Sequence, residues 1–415
     1  MEKFDAVVIG AGQAGIATSE HLRAQGVEHV VLERGRIAER WRSERWDSLV
    51  ANGPAWHDRF PGLAFSCDND SFPDKESVAR YFENYAEMID APVRTGVTVE
   101  HARAHSDRPG FLIGTSQGTI EARYLVSATG PFQKPAIPQI IPQAAGITQM
   151  HSTAYRNPDS LPEGAVLVIG GGSSGSQIAA ELHEAGRKVF FSIGPHDRPP
   201  RRYRGRDNVW WLGVLGIWNL DTPTPGTEHV TIAVSGAQGG KTVDFRRLAE
   251  RGITLLGMSS GFENGTLRLA DDLKTNLDAG DANMLSLLKA ADEYVARTGI
   301  DLAEEPEAWT IPKDPDCVTN PVRALSLADH DIGTVIWATG FQFDYGWLDV
   351  DTLDAQGHPI HQRGVSQVPG LYFVGLPWQS RRGSSFIWGV WHDAKFIVDQ
   401  IVIQENYLSY RPAAS

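Results

Sequence analysis

Six residues near the start of the chain have the types and spacing of a turn that binds a dinucleotide. They follow the uncharged, β-branched run 6–9 and open a stretch of helix-forming residues. In such a turn the first glycine permits the bend, the second lets the backbone approach a pyrophosphate, and the third lets helix and strand pack closely. The free N–H groups at the start of the helix would hold the phosphates. The candidate residues are Gly10, Ala11, Gly12, Gln13, Ala14 and Gly15.

An acid completes this pattern. Glu33 ends the second predicted strand, so the order is strand, glycine turn, helix, strand and acid, and its carboxylate can accept hydrogen bonds from an adenosine ribose. Two further strands end in Ala-Thr-Gly, which contributes Thr129 and Gly130 early in the chain and Thr339 and Gly340 late in it. Small residues at a strand end let the backbone lie against a cofactor.

A second glycine turn follows 160 residues after the first. The apolar run 165–169 leads into it, and a helix and another strand, 188–192, follow. Two complete patterns in one chain predict two dinucleotides rather than one. The candidate residues of the second turn are Gly170, Gly172, Ser173, Ser174 and Gly175.

The end of the second turn's last strand lacks an acid. Ser192 lies near the position that matches Glu33, and a basic cluster, 198–206, comes just beyond it. Arg201 and Arg202 of this cluster could bind a 2′-phosphate, which would favour NADPH over NADH. The cluster could equally be a solvated loop face.

These elements predict an α/β fold with two Rossmann-like dinucleotide-binding domains. The second dinucleotide-binding domain, 156–325, is expected to be inserted in the first, which 1–155 and 326–415 form. The apolar face of the predicted helix that ends near 403 is expected to pack in the core rather than to contact a membrane.

Composition narrows the partners and the compartment. The chain has 415 residues and a net charge of −13, which disfavours nucleic acid and anionic membranes. Its two cysteines, Cys67 and Cys317, form no C-x-x-C pair, and no apolar run reaches the length of a membrane span. We expect a cytoplasmic protein without a metal site, and the sequence leaves a homo-oligomer open.

The chain resembles the flavin-dependent monooxygenases with two dinucleotide domains, most closely the flavin-containing monooxygenases and their bacterial relatives. Besides the two turns, the resemblance rests on Arg40-Trp41, Asn52, the two Ala-Thr-Gly strands and the segment 151–156, which matches the second half of a family signature whose first half is missing. It implies FAD on the first domain and a nicotinamide nucleotide, NADPH or NADH, on the second.

The same resemblance implies roles for residues after the first domain's second strand. Arg40 and Trp41 would lie along the flavin, and Asn52, with Gly53 beside it, would lie next to the isoalloxazine. Asn52 could instead be an ordinary turn residue in Asn-Gly-Pro. His151 is either part of the site or a structural histidine at the domain junction.

The implied reaction is a hydride transfer from NAD(P)H to FAD, addition of O2 to form a C4a-hydroperoxyflavin, and oxygen transfer to a soft nucleophile, nitrogen or sulfur, of a small substrate. The Asn52 amide would donate a hydrogen bond where charge develops. Alternatives are Baeyer–Villiger oxygenation of a ketone, disfavoured because Tyr155 replaces the Trp usual there, an NAD(P)H oxidase or flavin reductase, and a non-catalytic nucleotide sensor. Trp210, Trp211 and Trp218 either wall a substrate channel or fill the core.

Overall fold

The first strand organises the amino-terminal part of the chain. In the computed structural model, which describes residues 1–143, 146–221 and 231–411, the run 6–9 is buried on both faces, as its lack of charge predicts. The elements up to the second turn are β1 (Glu2–Ile9), α1 (Gln13–Ala24), β2 (His29–Glu33), α2 (Glu39–Ser43), α3 (Lys75–Met88), β3 (Val93–Thr95), β4 (Val99–Ala104), β5 (Phe111–Thr115), β6 (Gly118–Ser127), β7 (Lys134–Pro135) and β8 (Thr148–His151).

The middle of the chain repeats the strand–turn–helix–strand order and then adds helices. Its elements are β9 (Ala165–Ile169), α4 (Ser173–Glu184), β10 (Val189–Ser192), β11 (Arg202–Tyr203), β12 (Arg206–Asp207), α5 (Asn208–Val214), α6 (Ala237–Gly240), α7 (Phe245–Glu250), β13 (Thr254–Leu256), β14 (Ser259–Glu263), β15 (Thr266–Leu269), α8 (Leu273–Thr298), α9 (Asp316–Thr319) and β16 (Ala324–Ser326).

The last part returns to the first sheet. It comprises β17 (Ile332–Trp337), β18 (Phe341–Gln342), β19 (Leu348–Asp349), β20 (His361–Gln362), β21 (Val365–Ser366), β22 (Leu371–Phe373) and α10 (Ile387–Ser409). The apolar face of α10 packs against α1 and the first sheet, as expected, and it buries Val390, Ala394, Ile397, Val398 and Ile401.

Parallel pairing defines the two dinucleotide units. In the first sheet the order is β19-β4-β5-β6-β1-β2-β3, with β1 parallel to both β2 and β6, and β22 parallel to the end of β6. In the second sheet the order is β13-β10-β9-β17-β8, and every pairing is parallel. The predicted fold of two Rossmann-like domains, one inserted in the other, is confirmed.

The second sheet extends beyond the expected segment 156–325 on both sides. β8 precedes that segment and β17 follows it, yet both lie in the second sheet. The chain therefore enters and leaves the inserted domain through two adjacent parallel strands. Neither strand carries a local signal of sheet membership: β17 is a buried apolar run that either sheet would accept, and β8 is a short, largely polar edge strand.

The two domains share a packed boundary. Trp46 and Leu49 belong to the loop after the first domain's second strand, yet they are buried in the hydrophobic core of the second domain. Trp41 packs against the cores of both domains. This loop therefore fixes residues of the first domain against the second.

Candidate active site

The first glycine turn has the shape that a phosphate cradle requires. Gly10 has a φ of +103°, and a Cβ there would lie 2.8 Å from the carbonyl oxygen of Ala128. A Cβ on Gly15 would lie 1.8 Å from the carbonyl oxygen of Gly10, so strand and helix are in direct contact. Gly12 caps α1 without a side-chain hydrogen bond, and a Cβ there would meet nothing within 4 Å. The open side of the turn is therefore next to Gly12.

Glu33 braces the same turn. Its Oε2 accepts a hydrogen bond from the N–H of Ala11 at 2.9 Å, and its Oε1 accepts one from the N–H of Gly35 at 2.8 Å. The carboxylate thus ties the glycine turn to the residues after β2. The carboxylate also lines a cavity beside the turn, so a ribose bound in that cavity could donate a hydrogen bond to it.

A cavity of about 440 Å³ opens beside this turn, and we call it the first cavity. It brings together most of the residues predicted to hold the first dinucleotide. Ala11 and Gly15 do not line it; they shape the turn behind it. The predicted residues that line it are Gly10, Gly12, Gln13, Ala14, Glu33, Arg40, Trp41, Thr129 and Gly130.

Two guanidinium groups close one side of the first cavity. Arg40 pairs with Glu44 at 2.7 Å and donates to the carbonyl of Gln133 at 2.9 Å, and its burial lowers its pKa. Arg45 lies over the rings of Trp41 and Phe132, and burial lowers the pKa of Arg45 to about 10. Both remain cations at neutral pH, so this side of the cavity favours an anionic ligand.

Asn52 and Gly53 line a different cavity, of about 200 Å³, which we call the second cavity. Nε2 of Gln177 donates to the side-chain oxygen of Asn52 at 3.0 Å, and Nη1 of Arg201 donates to its backbone carbonyl at 2.6 Å. Gly53 is in close contact with the Asp58 carboxylate, because a Cβ on Gly53 would lie 2.3 Å from an Asp58 oxygen. Asn52 is thus held by two residues of the second domain.

The second cavity is walled mainly by apolar side chains. Trp218 packs against the rings of Phe386, Trp388 and His57, which makes one wall aromatic. Of the three tryptophans proposed for a channel or the core, Trp218 lines this cavity, whereas Trp211 lies in a hydrophobic cluster that Trp210 packs against. The apolar lining residues are Pro199, Val209, Leu212, Ile217, Trp218, Ile232, Val234, Leu287, Ala290 and Phe386.

Polar residues that the sequence did not indicate line the rest of the second cavity. Asn208 is 5% exposed, and its Oδ1 has no hydrogen-bond partner. Arg382 lies 3.8 Å from Asp197; burial lowers the pKa of Arg382 and raises that of Asp197. Asp58 accepts a hydrogen bond from Nδ1 of His57 at 2.8 Å. These residues come from four separate segments, so no local spacing could have grouped them.

The second glycine turn repeats the backbone of the first but is covered. Gly170 has a φ of +119°, and Gly172 caps α4 without a side-chain hydrogen bond. A Cβ on Gly172 would lie 3.2 Å from a methyl of Thr231, and the hydroxyl of Ser173 donates to the carbonyl of Ile232 at 2.8 Å. The segment 231–234 therefore lies across this turn.

The basic cluster 198–206 consists largely of ion pairs. Arg201 is 1% exposed, and its guanidinium bonds Asp207 through two nitrogens and Asn52 through the third. Arg198 is equally buried and pairs with Asp281. A solvated loop face is therefore wrong for both. All three guanidinium nitrogens of Arg201 have protein partners, but each terminal nitrogen keeps one further N–H, and the role of Arg201 toward a 2′-phosphate stays a prediction. Arg202 is exposed, and its role as a ligand of a 2′-phosphate likewise stays a prediction.

The remaining predicted residues lie at strand ends. The hydroxyl of Ser192 donates to the carbonyl of Gly257 at 2.8 Å and is buried. Thr339 donates to the carbonyl of Ala136, and His151 donates through Nε2 to the carbonyl of Gly340 at 2.9 Å. His151 therefore ties β8 to the end of β17, and burial lowers its pKa. This geometry favours the structural role for His151.

Two relatives match more than nine-tenths of the chain, and a family model matches its amino-terminal part. The family model "Pyridine nucleotide-disulphide oxidoreductase" matches residues 7–202. An uncharacterised CzcO-like oxidoreductase of Geobacillus kaustophilus is 32% identical over 402 residues, 96% of this chain and 98% of its own. Indole-3-pyruvate monooxygenase YUCCA1 of Oryza sativa is 33% identical over 399 residues, 92% of this chain and 88% of its own.

The chain belongs to the flavin-dependent monooxygenases. The flavin-containing monooxygenase of Stenotrophomonas maltophilia shares the fold, with a TM-score of 0.67 at 20% identity over 97% of this chain and 99% of its own. The enzyme is an NAD(P)H-dependent flavoprotein monooxygenase, and the cofactors of its family are FAD and NADPH. Over the described ranges, no helix of the monooxygenase is long and apolar enough to cross a membrane, and no group of His, Cys, Asp and Glu could hold a metal ion.

Proposed function

We propose that this monooxygenase transfers one oxygen atom of O2 to a soft nucleophile, an amine nitrogen or a sulfur, of a small organic substrate bound in the second cavity. The observation that carries the proposal is the combination of an aromatic wall with the Asn52 carboxamide in one cavity between the two domains. Such a cavity buries an apolar substrate and offers a few polar groups to orient it, which is typical of a small-molecule site.

The residues of the first cavity fit FAD. The open side of Gly12 leaves room for a pyrophosphate, the start of α1 offers N–H groups, and Arg40 and Arg45 add positive charge. We assign the ribose to Glu33 and the remaining contacts to Trp41, Thr129 and Gly130. When bound and reduced by NADPH, FAD supplies the chemistry that activates O2.

The second glycine turn has the backbone shape for a nicotinamide nucleotide, but it is less accessible than the first turn. Its backbone and the start of α4 match the first turn, but the segment 231–234 lies against Gly172 and Ser173. We assign the nucleotide phosphates to Gly170, Gly172, Ser173, Ser174 and Gly175, and its adenosine end to the region of Ser192 and Arg202. We place the enzyme in the cytoplasm, where NADPH is supplied.

Asn52 acts in this proposal as a hydrogen-bond donor at the edge of the second cavity. Its side-chain oxygen already accepts from Gln177, so its Nδ2 is the atom left for a ligand. A fixed donor at the reacting atoms stabilises charge that develops on a transferred oxygen. Asn52 is exposed in this structure, so in this proposal the bound substrate excludes water from its amide.

A second candidate substrate is an aromatic 2-oxo acid. The curated relative from rice is named for indole-3-pyruvate. Arg382 is a partly buried cation at the cavity whose partner Asp197 is 3.8 Å away, so a substrate carboxylate could pair with it beside the aromatic wall. Only the substrate differs from the first proposal; the cavity and the cofactors are the same.

The test is a substrate panel with the purified holoenzyme, NADPH and ¹⁸O2. Thioanisole, N,N-dimethylaniline, cyclohexanone and indole-3-pyruvate are compared, and product, NADPH consumption and H2O2 are measured together. We expect the sulfoxide or the N-oxide to carry one ¹⁸O atom for each NADPH consumed. Asn52→Ala should keep FAD and flavin reduction and lose product, whereas the exposed Asn406→Ala should behave as the wild type.

Each other outcome selects a different function. A lactone from cyclohexanone would replace the proposal with Baeyer–Villiger oxygenation, and turnover of indole-3-pyruvate alone would establish the second candidate. Stoichiometric H2O2 with every substrate would make the enzyme an NADPH oxidase. Full product formation by Asn52→Ala would remove Asn52 from the mechanism.

A further inference from the structure

Gln177 makes two hydrogen bonds with one nitrogen, and both have a single allowed direction. Its Nε2 donates to the side-chain oxygen of Asn52 at 3.0 Å and to the backbone carbonyl of Val234 at 3.3 Å. Gln177 is 8% exposed and lies in α4, the helix that the second glycine turn opens. Its amide therefore joins a loop of the first domain to the start of a helix in the second.

The orientation of the Gln177 amide is fixed by the backbone. A carbonyl oxygen can only accept a hydrogen bond, so the group that faces Val234 must be the NH2 of Gln177. If the amide were turned by 180°, its oxygen would face the carbonyl oxygen of Val234, and that carbonyl would lose its hydrogen bond from Gln177. Because two facing acceptor oxygens repel each other, the orientation with the NH2 toward Val234 is favoured.

This orientation determines that of Asn52 in turn. The NH2 of Gln177 can only donate, so the Asn52 atom facing it must be the oxygen. Nδ2 of Asn52 is then the group that remains for the second cavity, which Asn52 lines. Arg201 holds the backbone of the same residue through its carbonyl, so both main chain and side chain of Asn52 are set by the second domain.

We propose that Gln177 is a positioning residue that turns the Asn52 carboxamide so that its NH2, rather than its oxygen, faces the reacting ligand. The proposal rests on the proposed function of Asn52 and adds the cause of its donor character. It also makes that character depend on α4, because the amide that directs Asn52 belongs to the helix of the nicotinamide domain.

Two substitutions test whether the direction of this hydrogen bond matters, rather than only its presence. Gln177→Glu keeps the shape of the side chain and replaces the donor by an acceptor, so Asn52 would turn its NH2 toward Glu and present its oxygen to the cavity. Asn52→Asp keeps the bond from Gln177 and presents an oxygen to the cavity directly. Both variants should therefore fail in the same way, and Gln356→Glu, at an exposed position, controls for an added carboxylate.

The first readout is ligand binding to the oxidised holoenzyme, which is measured by the change in tryptophan fluorescence. Methyl phenyl sulfoxide offers an acceptor oxygen, and thioanisole lacks one. We expect Gln177→Glu and Asn52→Asp each to weaken sulfoxide binding about five- to tenfold, the value of one hydrogen bond, and to leave thioanisole binding within about twofold. The double variant, Gln177→Met with Asn52→Asp so that two carboxylates do not face each other, should lose no more than either single variant, because one donor is lost in all three.

The second readout needs no substrate. The NADPH-reduced enzyme is mixed with oxygenated buffer, and the return of oxidised flavin absorbance is timed. We expect the same change in rate, about fivefold or more, in Gln177→Glu, Asn52→Asp and the double variant, with FAD content unchanged. If Gln177→Glu fails to fold, Gln177→Met replaces it, since it removes the donor without burying a charge.

The outcomes distinguish the two proposals. An effect of Asn52→Asp without an effect of Gln177→Glu, or additive effects in the double variant, would overturn the role of Gln177 and leave that of Asn52 intact. If Asn52→Asp changes neither readout, the role of Asn52 fails and that of Gln177 with it. If neither probe binds the wild type, the flavin reoxidation rates alone decide.

Discussion

The guanidinium of Arg201 and the backbone carbonyl of Asn52 are 2.6 Å apart, 149 residues away from each other in the chain. Arg201 belongs to the nicotinamide domain, and Asn52 belongs to the loop after the second strand of the FAD domain. Asp207 takes the other two guanidinium nitrogens, and the ring of Phe72 lies against the group. Arg201, whose position in the sequence is typical of a phosphate ligand, therefore links the two domains in this structure.

Removal of Arg201 should cost stability. Arg201→Met leaves the largely buried carboxylate of Asp207 without its cation and with only the N–H of Val209 as a partner, and loss of one member of a buried ion pair typically destabilises a protein by about 3–5 kcal/mol. We expect that loss in urea unfolding of the holoenzyme, against less than about 0.5 kcal/mol for the exposed Arg202→Met. Arg201→Met combined with Asp207→Leu should recover part of the loss. Equal stabilities of the two single variants would show that the ion pair contributes nothing.

Replacement of Glu33 should weaken FAD retention. Glu33→Gln keeps one acceptor for the two N–H groups of Ala11 and Gly35 and places an NH2 against the other. Because hydrogen bonds to charged groups contribute about 1.5–3 kcal/mol, we expect FAD to bind the apoprotein at least about tenfold more weakly. FAD fluorescence quenching on titration of the apoprotein measures this. The exposed Glu28→Gln is the control, and FAD affinity equal to that of the wild type in Glu33→Gln would contradict the assignment.

Asn208 should discriminate substrates by their polar groups. Its Oδ1 is buried and unpartnered, so it can accept an N–H or O–H of a ligand. We expect Asn208→Leu to raise KM for 4-(methylthio)phenol about tenfold relative to thioanisole, without lowering Tm. Asn283 lines the same cavity, but its Oδ1 already accepts from the N–H of Arg198. Asn283→Leu should therefore lower Tm, and a change in discrimination by Asn283→Leu alone would reverse the assignment.

His21 should make the fold sensitive to acid. Burial against Trp391 lowers the pKa of His21 to about 4, while an unfolded histidine titrates near 6.5. Above about pH 6.5 the ring is neutral in both states; between about pH 6.5 and 4 the unfolded chain binds a proton that the folded chain does not, so stability falls as pH falls. We expect a shallower decline of Tm over this window in His21→Gln than in the wild type or the exposed His101→Gln. Parallel declines in all three proteins would exclude His21 as a cause.

The sequence by itself determined the two dinucleotide units. A buried strand, a turn that needs glycine at Gly10 and Gly170, and a helix start are local features, because each depends on backbone geometry and burial within about 30 residues. The same locality made Glu33 recognisable. The length of each pattern and its position in the chain then predicted one domain inserted in the other.

Only the tertiary structure decided what the long-range side chains do. The sequence could not show that Arg201 pairs with Asp207 rather than with a phosphate, because an arginine is suited to either anion and only the packed loop sets its neighbour. It could not show that β8 and β17 join the second sheet, since either sheet accepts an apolar strand such as β17, and β8 is short and largely polar. The contact of Asn52 with Gln177 spans 125 residues, and it exists because two independently recognisable domains pack in one orientation.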